Sequence, residues 1–203
     1  MKIVRVETLL SKGEFPKSSE WLDIREVIHQ GIREMVWPEG GHEFLIYPQS
    51  GKRRNEGNGV KPIKNGLMKA LERAAGWKKE QHFEMRGFES VGKIDAVYKS
   101  SAGLVGLEWE TGNVSSSHRA LNKMALGLLR GALIAGVLIV PTREMYRYLT
   151  DRVGNYNELL PYFDLWRSIP ITCGVLELVA IEHDGTSLHA PRIPKGTDGR
   201  HRK

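Results

Sequence analysis

The hydrophobic and polar positions of the chain follow helical spacing in some segments and strand spacing in others, as in an α/β domain. Apolar side chains recur at three- and four-residue steps over residues 20–36, which predicts an amphipathic helix. Further helices are predicted from Asn65 as N-cap to Gly76, from His118 to about Leu133, over 142–149 and through Leu159 to Trp166. Strands are predicted at 81–86, 92–99, 104–110, 137–140 and 174–181. This order predicts a central mixed β-sheet flanked by helices.

The length of 203 residues suits one domain of ordinary size, which we place at residues 1–189. Residues 190–203 are basic and show no apolar periodicity, so a flexible tail is predicted there. The amino terminus lacks the continuous apolar core of a signal peptide. The longest apolar stretch, 126–140, is interrupted by Arg130 and falls short of a membrane span. We therefore expect a cytoplasmic protein that makes no membrane contact.

The composition favours an anionic partner, because the formal net charge is +6 at pH 7. Nucleic acid is the first candidate for that partner. The single cysteine, Cys173, excludes a disulfide framework and a thiolate zinc site. Since Cys173 lies in an apolar stretch, it is predicted to be a small buried side chain.

Three carboxylates lie at the ends of two strand-like apolar runs. Asp95 belongs to the first run, and Glu108 and Glu110 belong to the second. Residues 100–103 between the runs are turn-rich and suit a hairpin, which would bring the carboxylates onto one face. Because unpaired buried charges are costly, the cluster favours a shared Mg²⁺ ion. Spacing alone leaves open the alternative that these acids are solvated on the polar face of an antiparallel ribbon.

A polar loop over residues 48–59 is rich in glycine and positive charge. It carries Lys52, Arg53 and Arg54, and it is interpreted as an arm that contacts DNA phosphates. Its composition leaves open the alternative of a solvated, mobile loop.

A basic helix face begins close to the acidic cluster. The helix predicted from His118 carries Arg119, Lys123 and Arg130 on the side opposite its apolar stripe. A solvated helix face is the simplest alternative. Because the helix starts within a few residues of the carboxylates, phosphate binding is the favoured interpretation.

The acidic motif resembles that of a known nuclease family. Ile94-Asp95 is followed by Glu108-Trp109-Glu110, then by a polar Asn/Ser loop and a long helix. In this order the chain resembles type II restriction endonucleases of the BamHI and BglII kind, within the PD-(D/E)xK nuclease superfamily. Ile94 stands where the superfamily has proline, and Glu110 stands where it has lysine. BamHI carries Glu in that lysine slot, whereas BglII and its close relatives carry Gln.

The resemblance assigns catalytic roles to the acidic motif. Asp95 and Glu108 would bind Mg²⁺ and the scissile phosphate, and Glu110 would orient or deprotonate the attacking water. Lys93 and Lys123 are the nearest cations that could replace the missing lysine. Lys123 is the stronger candidate, because its helix begins at the site.

The resemblance also suggests which residues read DNA bases. In these enzymes the residues just after the acidic motif enter the major groove, where amide and hydroxyl groups pair with base edges. The candidates in this segment are Asn113, Ser115 and Ser117. A second candidate segment contains Asp151, Arg152 and Asn155, for which a helix-capping turn is the alternative.

The same resemblance covers about residues 44–180 and implies a homodimer on double-stranded DNA. Each subunit would cut one strand of a palindrome and leave a 5′ overhang, because two-fold DNA is best matched by a two-fold protein. The helix from His118 and the first helix are the candidate interface elements. Two other functions remain open: a repair or recombination nuclease of the same superfamily, and a DNA-binding protein without catalysis.

Overall fold

The fold is built on a six-stranded mixed sheet with strand order β1-β7-β6-β5-β4-β3. The computed structural model describes residues 1–50, 57–82, 92–110, 112–150 and 153–195 of the chain. The strands of this sheet are β1 (Lys2–Lys12), β3 (Trp77–His82), β4 (Lys93–Lys99), β5 (Leu104–Trp109), β6 (Ala135–Pro141) and β7 (Gly174–Glu182). The helices are α1 (Ser19–Arg33), α2 (Lys61–Arg73), α3 (Val114–Leu129), α4 (Arg143–Tyr146), α5 (Tyr156–Leu159) and α6 (Phe163–Arg167). The predicted mixed sheet flanked by helices is thus confirmed.

The sheet combines antiparallel and parallel pairs. Strands β3, β4 and β5 form an antiparallel meander, and the β4–β5 turn is the predicted hairpin. Strands β5, β6 and β7 pair in parallel, and β1 closes the other edge antiparallel to β7. Strand β6 is buried along its whole length, as expected for a parallel strand covered on both faces. Two short strands, β2 (Leu45–Ile46) and β8 (Gly185–Thr186), pair apart from this sheet.

Two hydrophobic layers cover the faces of the sheet. The apolar residues of α1 and α2, including Trp21, Ile28 and Leu67, belong to one buried cluster. Those of α3 and α6, including Leu121 and Trp166, belong to the other. Burial of the apolar face of each helix fixes the rotation of the helix about its axis. The polar residues of α2 and α3 are therefore held in fixed orientations.

Two helices that border the site begin earlier than predicted. Helix α2 begins at Lys61, because a proline in its first turn suits the helix start and Val60 is its N-cap. Asn65, the predicted cap, is an exposed residue within the helix. Helix α3 begins at Val114 because the Asn113 side chain accepts a hydrogen bond from the Ser116 N–H at 3.2 Å.

Two further predictions about the chain need correction. Cys173 is exposed, because β7 begins only at the following residue, Gly174. Residues 190–195 do not behave as a free tail, since Ala190 and Ile193 are 5% and 2% exposed. The Gly59 N–H donates to the Ile193 carbonyl at 2.8 Å, so this stretch is docked on the domain. Residues 196–203 lie outside the described residues.

Candidate active site

Asp95 and Glu108 meet where β4 and β5 run side by side. The antiparallel register pairs Ala96 with Leu107. Asp95 precedes Ala96 and Glu108 follows Leu107, so their carboxylates lie next to each other across the two strands. Oδ2 of Asp95 accepts the Trp109 N–H at 2.9 Å, so the Asp95 carboxylate also holds the end of β5. Both carboxylates are largely buried, with side chains 16% and 10% exposed. The alternative of two solvated acids is therefore wrong for this pair.

Two lysines neutralise this carboxylate pair. Lys64, from α2, donates to Oδ1 of Asp95, and Lys123, from α3, forms an ion pair with Oε1 of Glu108. Lys123 also donates to the Lys93 carbonyl at 2.6 Å. The two helices lie in opposite layers, so the cations reach the pair from both faces of the sheet.

Glu108 has an unusual protonation equilibrium. Burial, followed by the negative charge of Asp95, raises the pKa of Glu108 to about 7, and the contact with Lys123 opposes this rise. Desolvation and a like charge both disfavour the ionised form of Glu108. Perturbed acids of this kind are concentrated at functional sites.

Glu110 is the residue directly after β5. Its Oε1 accepts the Gly112 N–H at 2.6 Å, so the carboxylate folds over the loop that follows β5. Within the described residues, no group of three histidine, cysteine or acidic side chains is arranged to hold a metal ion. The strand pairing therefore brings together Asp95 and Glu108, whereas the Glu110 carboxylate contacts the loop that follows β5.

The carboxylate pair suits Mg²⁺ by its chemistry. Magnesium commonly uses one or two protein carboxylates and fills its other positions with water and phosphate oxygens. Asp95 and Glu108 provide two hard oxygen donors, and burial together with the Asp95 charge makes the ionised form of Glu108 costly unless a cation is close. These residues fit the ion as well as a two-carboxylate site can.

Lys64 was missed by the sequence analysis, which considered only Lys93 and Lys123. Lys64 is distant in sequence from the acidic motif and reaches Asp95 because α2 packs against β3, the neighbour of β4 in the sheet. A signal was nevertheless present in the helix itself. Lys64 lies in the first turn of α2, where a cation opposes the helix dipole and where no acidic residue compensates it.

The predicted DNA-binding residues fall into three groups. Asn113, Ser115 and Arg119 are exposed around the start of α3, although Asn113 also caps that helix. Ser117 and Asn155 are each 0% exposed and cannot reach a base edge in this conformation. Lys52, Arg53, Arg54, Asp151 and Arg152 lie outside the described residues.

The buried positions of Ser117 and Asn155 have structural causes. Asn155 donates through its Nδ2 to Oε2 of Glu158 at 2.6 Å, which favours the helix-capping interpretation of this turn. Ser117 faces Gly154, on the neighbouring segment, with no room between them. The backbone of Gly154 is tied to the loop after β5 by a 2.9 Å hydrogen bond from its N–H to the Gly112 carbonyl.

Gly154→Ala is expected to destabilise the fold by about 1–3 kcal/mol, the usual cost of overpacking. The added Cβ would lie 2.4 Å from Oγ of Ser117 and 3.1 Å from Cα of Val114, so the start of α3 must shift. Denaturant unfolding measures the effect. Gly66→Ala in α2 is the matched control, because its Cβ meets only Met35 atoms, the nearest at 3.7 Å. Equal stability of the two variants would contradict the close approach.

Comparison with known proteins identifies the family. The family model for restriction endonuclease BamHI matches residues 1–200. The type II restriction enzyme OkrAI from Oceanobacter kriegii is 46% identical over 200 residues, which cover 98% of each chain. The type II restriction enzyme BamHI from Bacillus amyloliquefaciens is 34% identical over 197 residues, which cover 90% of this chain and 88% of the relative.

Solved structures agree with this assignment at the level of the fold. Restriction endonuclease BglII complexed with a DNA 16-mer superposes with a TM-score of 0.60 at 11% identity, over 95% of this chain and 88% of that one. Free BglII gives a TM-score of 0.53 at 10% identity, over 91% of this chain and 81% of that one. The predicted restriction-endonuclease-like fold and the resemblance to restriction endonucleases of the BamHI and BglII kind are both confirmed. The chain belongs to the BamHI family of restriction endonucleases.

Proposed function

We propose that this restriction endonuclease hydrolyses double-stranded DNA at a palindromic site, leaves 5′ overhangs and uses Mg²⁺ held by Asp95 and Glu108. The observation that supports this most directly is the buried carboxylate pair flanked by Lys64 and Lys123. Carboxylates suit the metal, and lysines suit the phosphate backbone. Because the substrate is DNA, we place the enzyme in the cytoplasm. In the described part of the chain no helix has the length and apolar character that a membrane crossing requires.

Each residue of the site has a role in the proposed reaction. When bound, Mg²⁺ would lower the pKa of a coordinated water and offset charge on the phosphoryl oxygens. Asp95 and Glu108 hold the ion, and Glu110 orients or deprotonates the attacking water. Lys123 takes the role of the superfamily lysine, since its ammonium group is held in place by both Glu108 and the Lys93 carbonyl.

Base recognition is assigned to the exposed polar residues around the start of α3. Asn113 and Ser115 follow the acidic motif, and both are exposed. Arg119 lies about one helical turn further along the same helix and is suited to a phosphate contact. The basic residues 52–54, with Asp151 and Arg152, are proposed as further DNA contacts on the strength of their charge and hydrogen-bonding groups alone.

Digestion of unmethylated phage DNA tests the proposed function. The purified protein is incubated with Mg²⁺ or with EDTA, and the fragment ends are sequenced. Discrete fragments that require Mg²⁺ and share one palindromic end sequence are expected. Random degradation would favour the repair-nuclease alternative, and intact DNA in both reactions would favour a binding protein without catalysis.

We also propose that α3 and the segment 160–165 form a homodimer interface. Leu160, Tyr162 and Leu165 are 48%, 47% and 63% exposed, which is a high density of large apolar side chains on one short segment. Tyr162 packs edge-on against His118 of α3 at 4.5 Å between ring centroids. This segment therefore continues the surface of α3, and the first helix is not favoured as the interface.

Leu165→Asp is expected to convert the dimer into monomers at micromolar concentration. A charge placed in an apolar interface must be desolvated without a partner, which strongly opposes association. Sedimentation velocity measures the oligomeric state. Leu188→Asp is the matched control, because Leu188 is 73% exposed and lies outside the proposed interface. A dimer that survives the Leu165 change would place the interface elsewhere.

A further inference from the structure

Both carboxylate oxygens of Asp95 are already occupied in the protein. Oδ2 accepts the Trp109 N–H at 2.9 Å, and Oδ1 accepts from the Lys64 ammonium group. The Trp109 hydrogen bond holds the end of β5 and cannot be given up without disturbing the strand. Each oxygen keeps a second lone pair, but a metal ion bound at Oδ1 would lie beside the Lys64 ammonium group, and the like charges would repel. A cation that binds Asp95 on this side is therefore opposed by Lys64.

The position of Lys64 is set by a rigid support. Asn58, in the segment that leads into α2, is fully buried and donates through Nδ2 to the carbonyls of Tyr47 and Tyr148, both at 2.9 Å. Leu67, one turn after Lys64, is 0% exposed in the core. The start of α2 is thus fixed at both sides, and the lysine side chain is directed to the carboxylates by the fold.

The helix gives Lys64 no local compensation for its charge. The first turn of α2 contains no acidic residue, and the positive end of the helix dipole disfavours a cation there. Asp95 is the contact that offsets this cost among the described residues. If Asp95 exchanges Lys64 for a metal ion, the lysine needs another anion within reach.

The two lysines of the site are held differently. Lys123 contacts both Glu108 and the Lys93 carbonyl, and its side chain is 12% exposed. Lys64 contacts Asp95 within the described part of the chain, and its side chain is 25% exposed. Lys64 is therefore the lysine with freedom to change partner, while Lys123 is the one fixed in place.

We propose that Lys64 exchanges partners during the reaction. In the metal-free protein it neutralises Asp95; in the complex with metal and DNA it donates to a nonbridging oxygen of the scissile phosphate. This inference rests on the proposed function, because it takes the phosphate to lie beside Asp95. Lys64 thereby prevents a buried, uncompensated Asp95 charge before metal binds, and then stabilises the negative charge that develops on the phosphoryl group.

Lys64→Met separates this exchange from a purely structural role, because it should move two measurements in opposite directions. Without the competing ammonium group, Mn²⁺ binding to the DNA-free protein should tighten by about tenfold or more, the scale on which one contacting charge shifts the affinity of a carboxylate for a proton. Electron paramagnetic resonance of free Mn²⁺ measures this. At saturating Mg²⁺, the cleavage rate should fall by about 10²- to 10³-fold, as for loss of a donor to a developing anion.

Two further variants serve as controls. Lys69→Met makes the same change at an exposed position of the same helix and should leave both measurements near wild-type values. Lys64→Arg keeps the positive charge, so its Mn²⁺ affinity should stay close to wild type even if its cleavage is impaired by the larger guanidinium group. Thermal melts establish that each variant is folded; if Lys64→Met does not fold, Lys64→Gln replaces it.

Three outcomes would overturn the inference. The exchange is refuted if the Lys64→Met protein binds Mn²⁺ no more tightly than wild type. It is refuted equally by wild-type cleavage in that variant. If the wild-type protein leaves all duplex DNA intact with Mg²⁺, both the proposed function and the phosphate contact of Lys64 are overturned. The Mn²⁺ titration would still measure whether Lys64 opposes metal binding at Asp95.

Discussion

Asp95→Asn is expected to eliminate measurable cleavage of duplex DNA while duplex binding persists. The amide keeps an oxygen that can accept the Trp109 N–H, so the end of β5 retains its hydrogen bond. It lacks the charge that a metal ligand requires. A catalytic metal supplies several kcal/mol of transition-state stabilisation, and each ~1.4 kcal/mol changes a rate tenfold, so we expect a loss of about 10³-fold or more. Single-turnover cleavage with Mg²⁺ measures the loss, and gel-shift titration in EDTA measures binding.

The matched control for this change is Asp23→Asn, at an exposed position of α1. It removes the same charge far from the carboxylate pair and should cleave at the wild-type rate. Cleavage by the Asp95→Asn protein within about tenfold of wild type would exclude Asp95 as a metal ligand, because that loss corresponds to only ~1.4 kcal/mol. Loss of both cleavage and binding in a folded variant would show that Asp95 organises the DNA surface instead.

Glu110→Lys is expected to lower turnover strongly although it restores the residue found in most of the superfamily. Lys64 and Lys123 already bring two cations to the carboxylate pair, so a third adds repulsion where the metal binds. A lysine also cannot serve as the carboxylate base that we assign to Glu110. General-base catalysis contributes about 10²- to 10⁴-fold, and a loss in this range is expected in single-turnover cleavage.

The same variant should bind DNA more tightly, because it exchanges a negative charge for a positive one near the phosphates. Glu14→Lys controls for the general effect of added charge, because the Glu14 side chain is 91% exposed and lies outside the carboxylate pair. Cleavage at the wild-type rate by the Glu110→Lys protein would show that Glu110 neither orients nor deprotonates the water. Glu110→Gln then tests whether position 110 needs only a hydrogen-bonding side chain for cleavage.

The two strands of the acidic hairpin were the most predictable part of the fold, whereas β1 has no counterpart among the predicted strands and β3 begins earlier than the predicted 81–86. Runs such as 92–99 and 104–110 are short, apolar and bounded by turn residues, and the hairpin between them followed from its length. Helix starts were less predictable. Helix α2 has Val60 as its N-cap without a side-chain hydrogen bond, so no polar cap marks its beginning, and Asn65 is the first residue of a typical N-cap type in this segment.

The acidic half of the candidate site was predictable because both carboxylates lie on one hairpin. Asp95 and Glu108 are brought together by local strand pairing, which spacing alone encodes. The contact of Lys64 with Asp95 depends instead on how α2 packs against α1 and β3, a tertiary arrangement of segments that are far apart in sequence. The burial of Ser117 has the same kind of cause, since it follows from the close approach of Gly154.

The position of the bound metal ion tests whether Asp95 and Glu108 form the metal site. Crystals of the protein are grown with Mn²⁺ and a duplex that carries the site found by digestion, and anomalous diffraction is measured at the manganese absorption edge. We expect an anomalous peak bound by the carboxylates of Asp95 and Glu108. A manganese ion at the scissile phosphate that is bound by other residues, with no peak at this pair, would contradict this expectation.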